Sequence, residues 1–240
     1  MSDPVAMGFR GAARPLQPGD IQAAASRLGC RAVALQAVLE VEAGGRAFDS
    51  RGRPVVEFEP HVFWRNLPSS LRSRAQAEGL AWPAWRPGHY PGTSDGMYDQ
   101  IARACAIDED AALKATSWGI GQTLGEEHEA AGYSDVRALV LDAMESAAAQ
   151  LAMMASEIMH DGLAPALAGE NWAAFARGYN GPGYAANHYD TKLAAYVGTY
   201  QAPAAPAAST TPVAEPPATP VAGTSAPSSG WPDGMPPGNG

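Results

Sequence analysis

A chain of 240 residues with 46% apolar content can fill one sizeable packed domain or two small ones. Its net charge of −9 excludes nonspecific nucleic-acid or anionic-membrane binding as its main work. No apolar run approaches the roughly 18 residues of a membrane span, and only two lysines, Lys114 and Lys192, accompany the arginines.

Residues 1–17 lack the apolar stretch of a signal peptide and read as a loose arm, so the chain is expected to stay in the cytoplasm after synthesis. Pro18-Gly19-Asp20 opens a helix with Asp20 as cap, Ile21, Ala24, Ala25 and Leu28 as its apolar face, and Gly29 as its end. A second helix is expected from about Arg31 to Ala43, where Leu35, Val38, Leu39 and Glu42 share one face. Arg53 to Glu59 reads as a short strand after a turn at Gly52. Residues 68–79 form a short basic helix, and residues 80–97, rich in Trp, Tyr, Pro and Gly, an irregular excursion. Short helices are expected near 98–106 and 109–116. One long helix spans 134–160, capped by Ser134 or Asp135, and two more lie near 170–178 and 186–198. Residues 201–240 are Pro-rich, lack Lys and Arg, and read as a disordered tail.

Glu42 stands out in this pattern. A carboxyl on a core-facing helical stripe is hard to ionise, because burial disfavours charge. The negative end of the helix dipole, just before Gly44-Gly45, pushes its pKa in the same direction. A carboxyl protonated near neutral pH suits a general acid for glycoside cleavage. The plainer reading has it curl to solvent, as Glu40 does.

Two turns could supply partners. Ser117-Trp118-Gly119-Ile120-Gly121-Gln122 pairs small residues with a hydroxyl and an amide, so a sugar or peptide could approach the backbone there. An ordinary interhelical turn explains it equally well. Tyr179-Asn180-Gly181-Pro182-Gly183-Tyr184 offers a Tyr hydroxyl for a catalytic carboxyl and Asn180 for substrate; a capped helix end is the plainer account. Trp64, Trp82, Trp85, Tyr90 and Tyr98 could stack on sugars or anchor a loop.

Cys30 and Cys105 have no metal-like spacing and read as free thiols ahead of a disulfide. The histidines at 61, 89, 128, 160 and 188 show no ligand spacing, and His61 reads as a packing residue. No metal or cofactor is expected.

Taken in order, four segments resemble the lysozyme-like superfamily, and within it the N-acetylmuramidase family of phage and prophage endolysins. They are Ala37 to Gly45, Gly52 to Phe63, Ser117 to Gln122, and Trp172 to Tyr184. The resemblance covers about residues 18–200. It implies a mainly α, α+β lysozyme-like domain with its small β element near 53–59. It departs from the family's pattern at Leu124 and over Ala47 to Ser50.

The resemblance implies cleavage of the β-1,4 bond between N-acetylmuramic acid and N-acetylglucosamine in peptidoglycan strands. Glu42 is then the catalytic acid and Glu59 the second carboxylate, with Asp49 in reserve. Ser117, Gln122, Tyr179 and Asn180 are the substrate-binding candidates. A lytic transglycosylase giving 1,6-anhydro products, a non-catalytic wall-binding or virion module, and a bacterial effector remain open beside it. A monomer released by a holin or a secretion machine to reach the cell wall completes this expectation.

Overall fold

The computed structural model of the protein describes residues 3–86, 88 and 90–201. α1 (Asp20–Leu28) and α2 (Ala32–Ala43) open the domain. The cap of α1 is Gly19 rather than Asp20, whose carboxylate instead accepts from the backbone N–H of Gln17. α2 is built from Ala, Val and Leu on nearly every side and is buried along most of its length. Gly44, at φ 58°, ends it in the left-handed conformation, and the N–H groups of Gly44 and Gly45 return to the carbonyls of Glu40 and Leu39.

A hairpin then reverses the chain. Val55 N–H donates to Ala47, Phe48 bridges Pro54, and Asp49 N–H donates to Arg53. It delivers β1 (Val56–Phe58), which pairs antiparallel with β2 (Thr116–Trp118), and β2 with β3 (Thr123–Leu124). Between β1 and β2 come α3 (Pro60–Asn66), α4 (Ser69–Ala77), α5 (Ser94–Cys105) and α6 (Glu109–Lys114). Thr93 and Asp108 cap the last two through their side chains. The segment after β2 is more than the interhelical turn its sequence allows. It closes the sheet through β3 and continues as one turn of 3₁₀ helix, Gly125–Glu127.

The long helix expected over 134–160 is two helices, α7 (Val136–Glu145) and α8 (Ala147–His160). Ser146 lies between them in extended conformation and caps α8 by accepting from Ala149 N–H. The break has a partner. Ala13 N–H and Arg14 N–H donate to the carbonyls of Met144 and Glu145, and Arg14 returns its own carbonyl to Ala147 N–H. The loose arm expected at 1–17 is therefore docked wherever it is described. Phe9, 4% exposed, packs against the rings of Tyr98 and Trp118. Burying such a ring contributes about 2–3 kcal/mol towards holding the segment in place, beside its backbone bonds to the α7–α8 joint.

α9 (Ala164–Ala168), α10 (Trp172–Tyr179), the 3₁₀ turn Pro182–Asn187 and α11 (Tyr189–Gln201) complete the fold. Apart from Gln201, the tail expected at 201–240 lies outside the described residues. Cys30 and Cys105 are free and half-buried. Among the described residues no helix is long and apolar enough to cross a membrane.

Two cores result. One gathers Phe58, Phe63, Ile101, Trp118 and Leu139 beneath the sheet; the other gathers Leu35, Leu39, Leu151, Phe175 and Leu193 around α2. The turn after β2 joins them, since Trp118 belongs to the first core and Ile120 to the second.

Candidate active site

Glu42 ends up on the last turn of α2 with 3% of its surface exposed. Asn180, just past α10, donates from Nδ2 to Glu42 Oε1 at 2.9 Å. Glu42 Oε2 is buried and has no hydrogen-bond partner. Burial pushes the Glu42 pKa up to about 7; the Asn180 bond opposes this, nearby Glu57 adds to it, and Lys192 weakly opposes it.

Glu57 is the acid the sequence reading passed over. It lies half-buried on β1, directly across from Ser117 on β2. No side chain among the described residues hydrogen-bonds or ion-pairs with it. Burial lifts it to about 7. The hairpin at 47–55 returns the chain beside α2, which brings Glu57 within electrostatic reach of Glu42. A signal existed in the sequence. Period-2 alternation places Glu57 and Glu59 on the same face of an extended segment.

Glu59 is held differently. It is 2% exposed, and its Oε2 accepts from Tyr90 O–H at 2.9 Å with His61 Nδ1 at 3.4 Å. Burial pushes its pKa well up and Glu57 pushes it further, against the opposing pull of Tyr90 and Arg65. The His61 pKa is lowered by burial and by Arg65. Asp49 is tied into the hairpin. Burial raises it, but hydrogen bonds from Ser94, from the Arg53 backbone and side chain and from the Arg51 backbone outweigh burial and hold it low. Its carboxylate pairs with Arg53 at 2.6 Å, and the Arg53 guanidinium lies 4.1 Å over the Tyr98 ring. Asp49 is thus committed to an ion pair.

The two turns behave differently from their sequence reading. Tyr179 O–H donates to the Gly121 carbonyl at 2.7 Å, so Asn180 and not Tyr179 is the residue bonded to Glu42. Gln122 sits at φ 51°, and its amide donates to the carbonyls of Gly119 at 2.7 Å and Val55 at 3.3 Å, tying the turn to the end of the hairpin. The glycines answer to α8. A Cβ on Gly119 would lie 2.4 Å from Gln150, and one on Gly121 2.6 Å from Met154. Gln150, 1% exposed, accepts from Ile120 N–H and donates to the carbonyls of Ala47 and Ala143. Side chains of α8 therefore fill the space a Cβ would take at these two glycines. Ser117 stays with Glu57 through the strand register.

Tyr189, at the start of α11, is buried near Glu42 and Glu57, both of which add to the effect of burial in raising its pKa. Among the described residues no group of three or more His, Cys, Asp or Glu is placed to hold a metal ion. The arrangement is a carboxyl protonated near neutrality, with one oxygen positioned and the other unpartnered, beside a second, unpaired acid.

The fold is the lysozyme-like α+β type, and residues 31–201 match the N-acetylmuramidase family. The chain belongs to that family. It is also similar to the endolysin of Burkholderia AP3 phage, whose crystal structure aligns with a TM-score of 0.69 at 36% identity over 82% of this chain and 75% of that one. No curated protein matches. The protein is a peptidoglycan hydrolase of the glycosidase type.

Proposed function

We propose that the protein cleaves the β-1,4 bond between N-acetylmuramic acid and N-acetylglucosamine, with Glu42 as general acid and Glu57 as the second carboxylate. The observation that carries this reading is the Glu42–Glu57 pair. Burial raises both acids to about 7 and Glu57 adds to the rise at Glu42, so near neutral pH one of them can hold a proton while the other ionises. Glu42, braced by Asn180 and free at Oε2, keeps the proton and gives it to the leaving oxygen. Glu57, ionised once Glu42 holds the proton, orients a water or stabilises charge at the sugar carbon. Ser117, opposite Glu57 on the sheet, would share that water. Glu59, fastened to Tyr90, serves the loop before α5 rather than the chemistry.

A carboxylate opposite the acid favours hydrolysis over lytic transglycosylation, where the sugar's own acetamido group would do this work. Action on the cell wall as a monomer, after release through a holin or an export machine, belongs to the same reading.

Zymography on purified peptidoglycan tests it. Wild type is expected to clear the gel, with muramic acid at the new reducing ends, and Glu42→Gln to leave it opaque. Products lighter by one water would carry anhydro ends and would replace the hydrolytic reading. Equal clearing by Glu42→Gln would overturn the assignment of the acid.

A further inference from the structure

The protein carries 25 acidic and 16 basic side chains, and its proposed substrate is itself anionic through the peptides on its muramoyl sugars. Something at the site has to offset that repulsion. Among the described residues, at least eight of the sixteen cations are held in ion pairs with Asp or Glu. Lys192 and Arg177 are not; both are exposed, and neither has an acidic partner among the described residues.

Both cations rest on aromatic rings instead. Lys192 Nζ lies 5.6 Å from the centre of the Tyr189 ring, and the Arg177 guanidinium 5.5 Å from that of Tyr184. These two rings form one small core with Ala176, packed against Val41, the residue before Glu42. Tyr189 is within electrostatic reach of Glu42 and Glu57, and Lys192 of Glu42. An aromatic face fixes a cation without neutralising it, so its charge stays available to a ligand. The nearest acid in the chain, Asp190, turns to the N–H and hydroxyl of Thr191.

We propose that Lys192 and Arg177 form a carboxylate-binding subsite for the peptide substituent of the muramoyl sugar, so that the preferred substrate is peptide-bearing glycan rather than bare amino-sugar polymer. The inference rests on the muramidase reading above. It assigns the wall formed by α10 and α11 to the side of the strand from which the lactyl ether projects. The two cations act in binding and take no part in bond cleavage.

The test compares uncross-linked, soluble peptidoglycan strands with the same strands stripped of peptide by an amidase. Wild type, the double variant Lys192→Met/Arg177→Met and the control Lys114→Met are assayed on both. Methionine keeps the stems over the rings. Expected is a fall of about tenfold in the double variant's ratio of kcat/KM on peptide-bearing over stripped strands, carried by KM and reproduced in the wild type by 0.5 M salt. The ratio of Lys114→Met should equal that of wild type. An unchanged ratio in the double variant overturns the inference, as does an equal loss on both substrates, which marks a structural role. Wild type that cleaves neither substrate overturns the muramidase reading itself.

Discussion

Asn180 Nδ2 donates to Glu42 Oε1 at 2.9 Å, joining the ends of α10 and α2 across 138 residues of chain. That bond aims the carboxyl and also restrains its pKa, because it favours the ionised form. Asn180→Ala removes the donor. The alkaline limb of kcat/KM, set by Glu42 at about 7, should then move to higher pH. Thermal stability should fall by about 1–3 kcal/mol for a buried oxygen left unpaired. A pH–rate profile with an unmoved alkaline limb would contradict this role.

Glu57 and Glu59 should separate cleanly by substitution. Glu57→Gln is expected to lower kcat by about 10²- to 10⁴-fold with KM little changed. Glu59→Gln still presents an oxygen to Tyr90 and should retain about half or more of wild-type activity. Steady-state assays on soluble strands decide between them, and the reverse ranking would return Glu59 to the catalytic position.

Stability should decline as pH rises. Burial raises Glu42 and Glu57 from 4.5 to about 7 and Glu59 well beyond its usual range, so the folded protein holds protons that the unfolded chain gives up. Their contribution is fully present below about 4.5 and is lost as pH passes through about 7. Urea denaturation should therefore give a higher midpoint at pH 5 than at pH 8, and the gap should narrow in Glu59→Gln. A midpoint that climbs across this interval would mean the three acids are ionised in the fold. Asp49 works in the opposite sense, because its low pKa removes stability only as pH falls through the acid range below 3.8.

Gly121→Ala tests what the Gly-rich turn is for. The added Cβ meets Met154 at 2.6 Å, inside the packed core around α8. The expected outcome is a loss of about 1–3 kcal/mol from overpacking, read as a lower Tm. An unchanged Tm with a raised KM would instead restore the reading in which a sugar approaches this backbone.

The local elements were legible because their signals are local. Leu35, Val38 and Leu39 mark the stripe that carries Glu42, and the glycines after it mark its end. The β1 element near 53–59 was visible from its branched and alternating residues, whereas its pairing with Thr116–Trp118 depends on contacts far apart in sequence. Ser146 passed for an ordinary residue inside a helix, since only the docked backbone of Ala13 and Arg14 makes it a break. The approach of Glu57 to Glu42 was hidden for a similar reason. The neighbours of Glu57 in sequence mark it as a strand residue, and only the hairpin that folds it back to α2 makes it a partner for Glu42.

The docking of Phe9 bears on how this enzyme is cut and expressed. Similarity to the family begins at Arg31, and a fragment designed on that boundary would omit α1 along with the ring that sits on Trp118. It would expose the underside of the sheet and leave the α7–α8 joint without its backbone clamp. Such a fragment should aggregate or resist refolding even with every proposed catalytic group present. The stretch that matches the family is here shorter than the stretch that packs together.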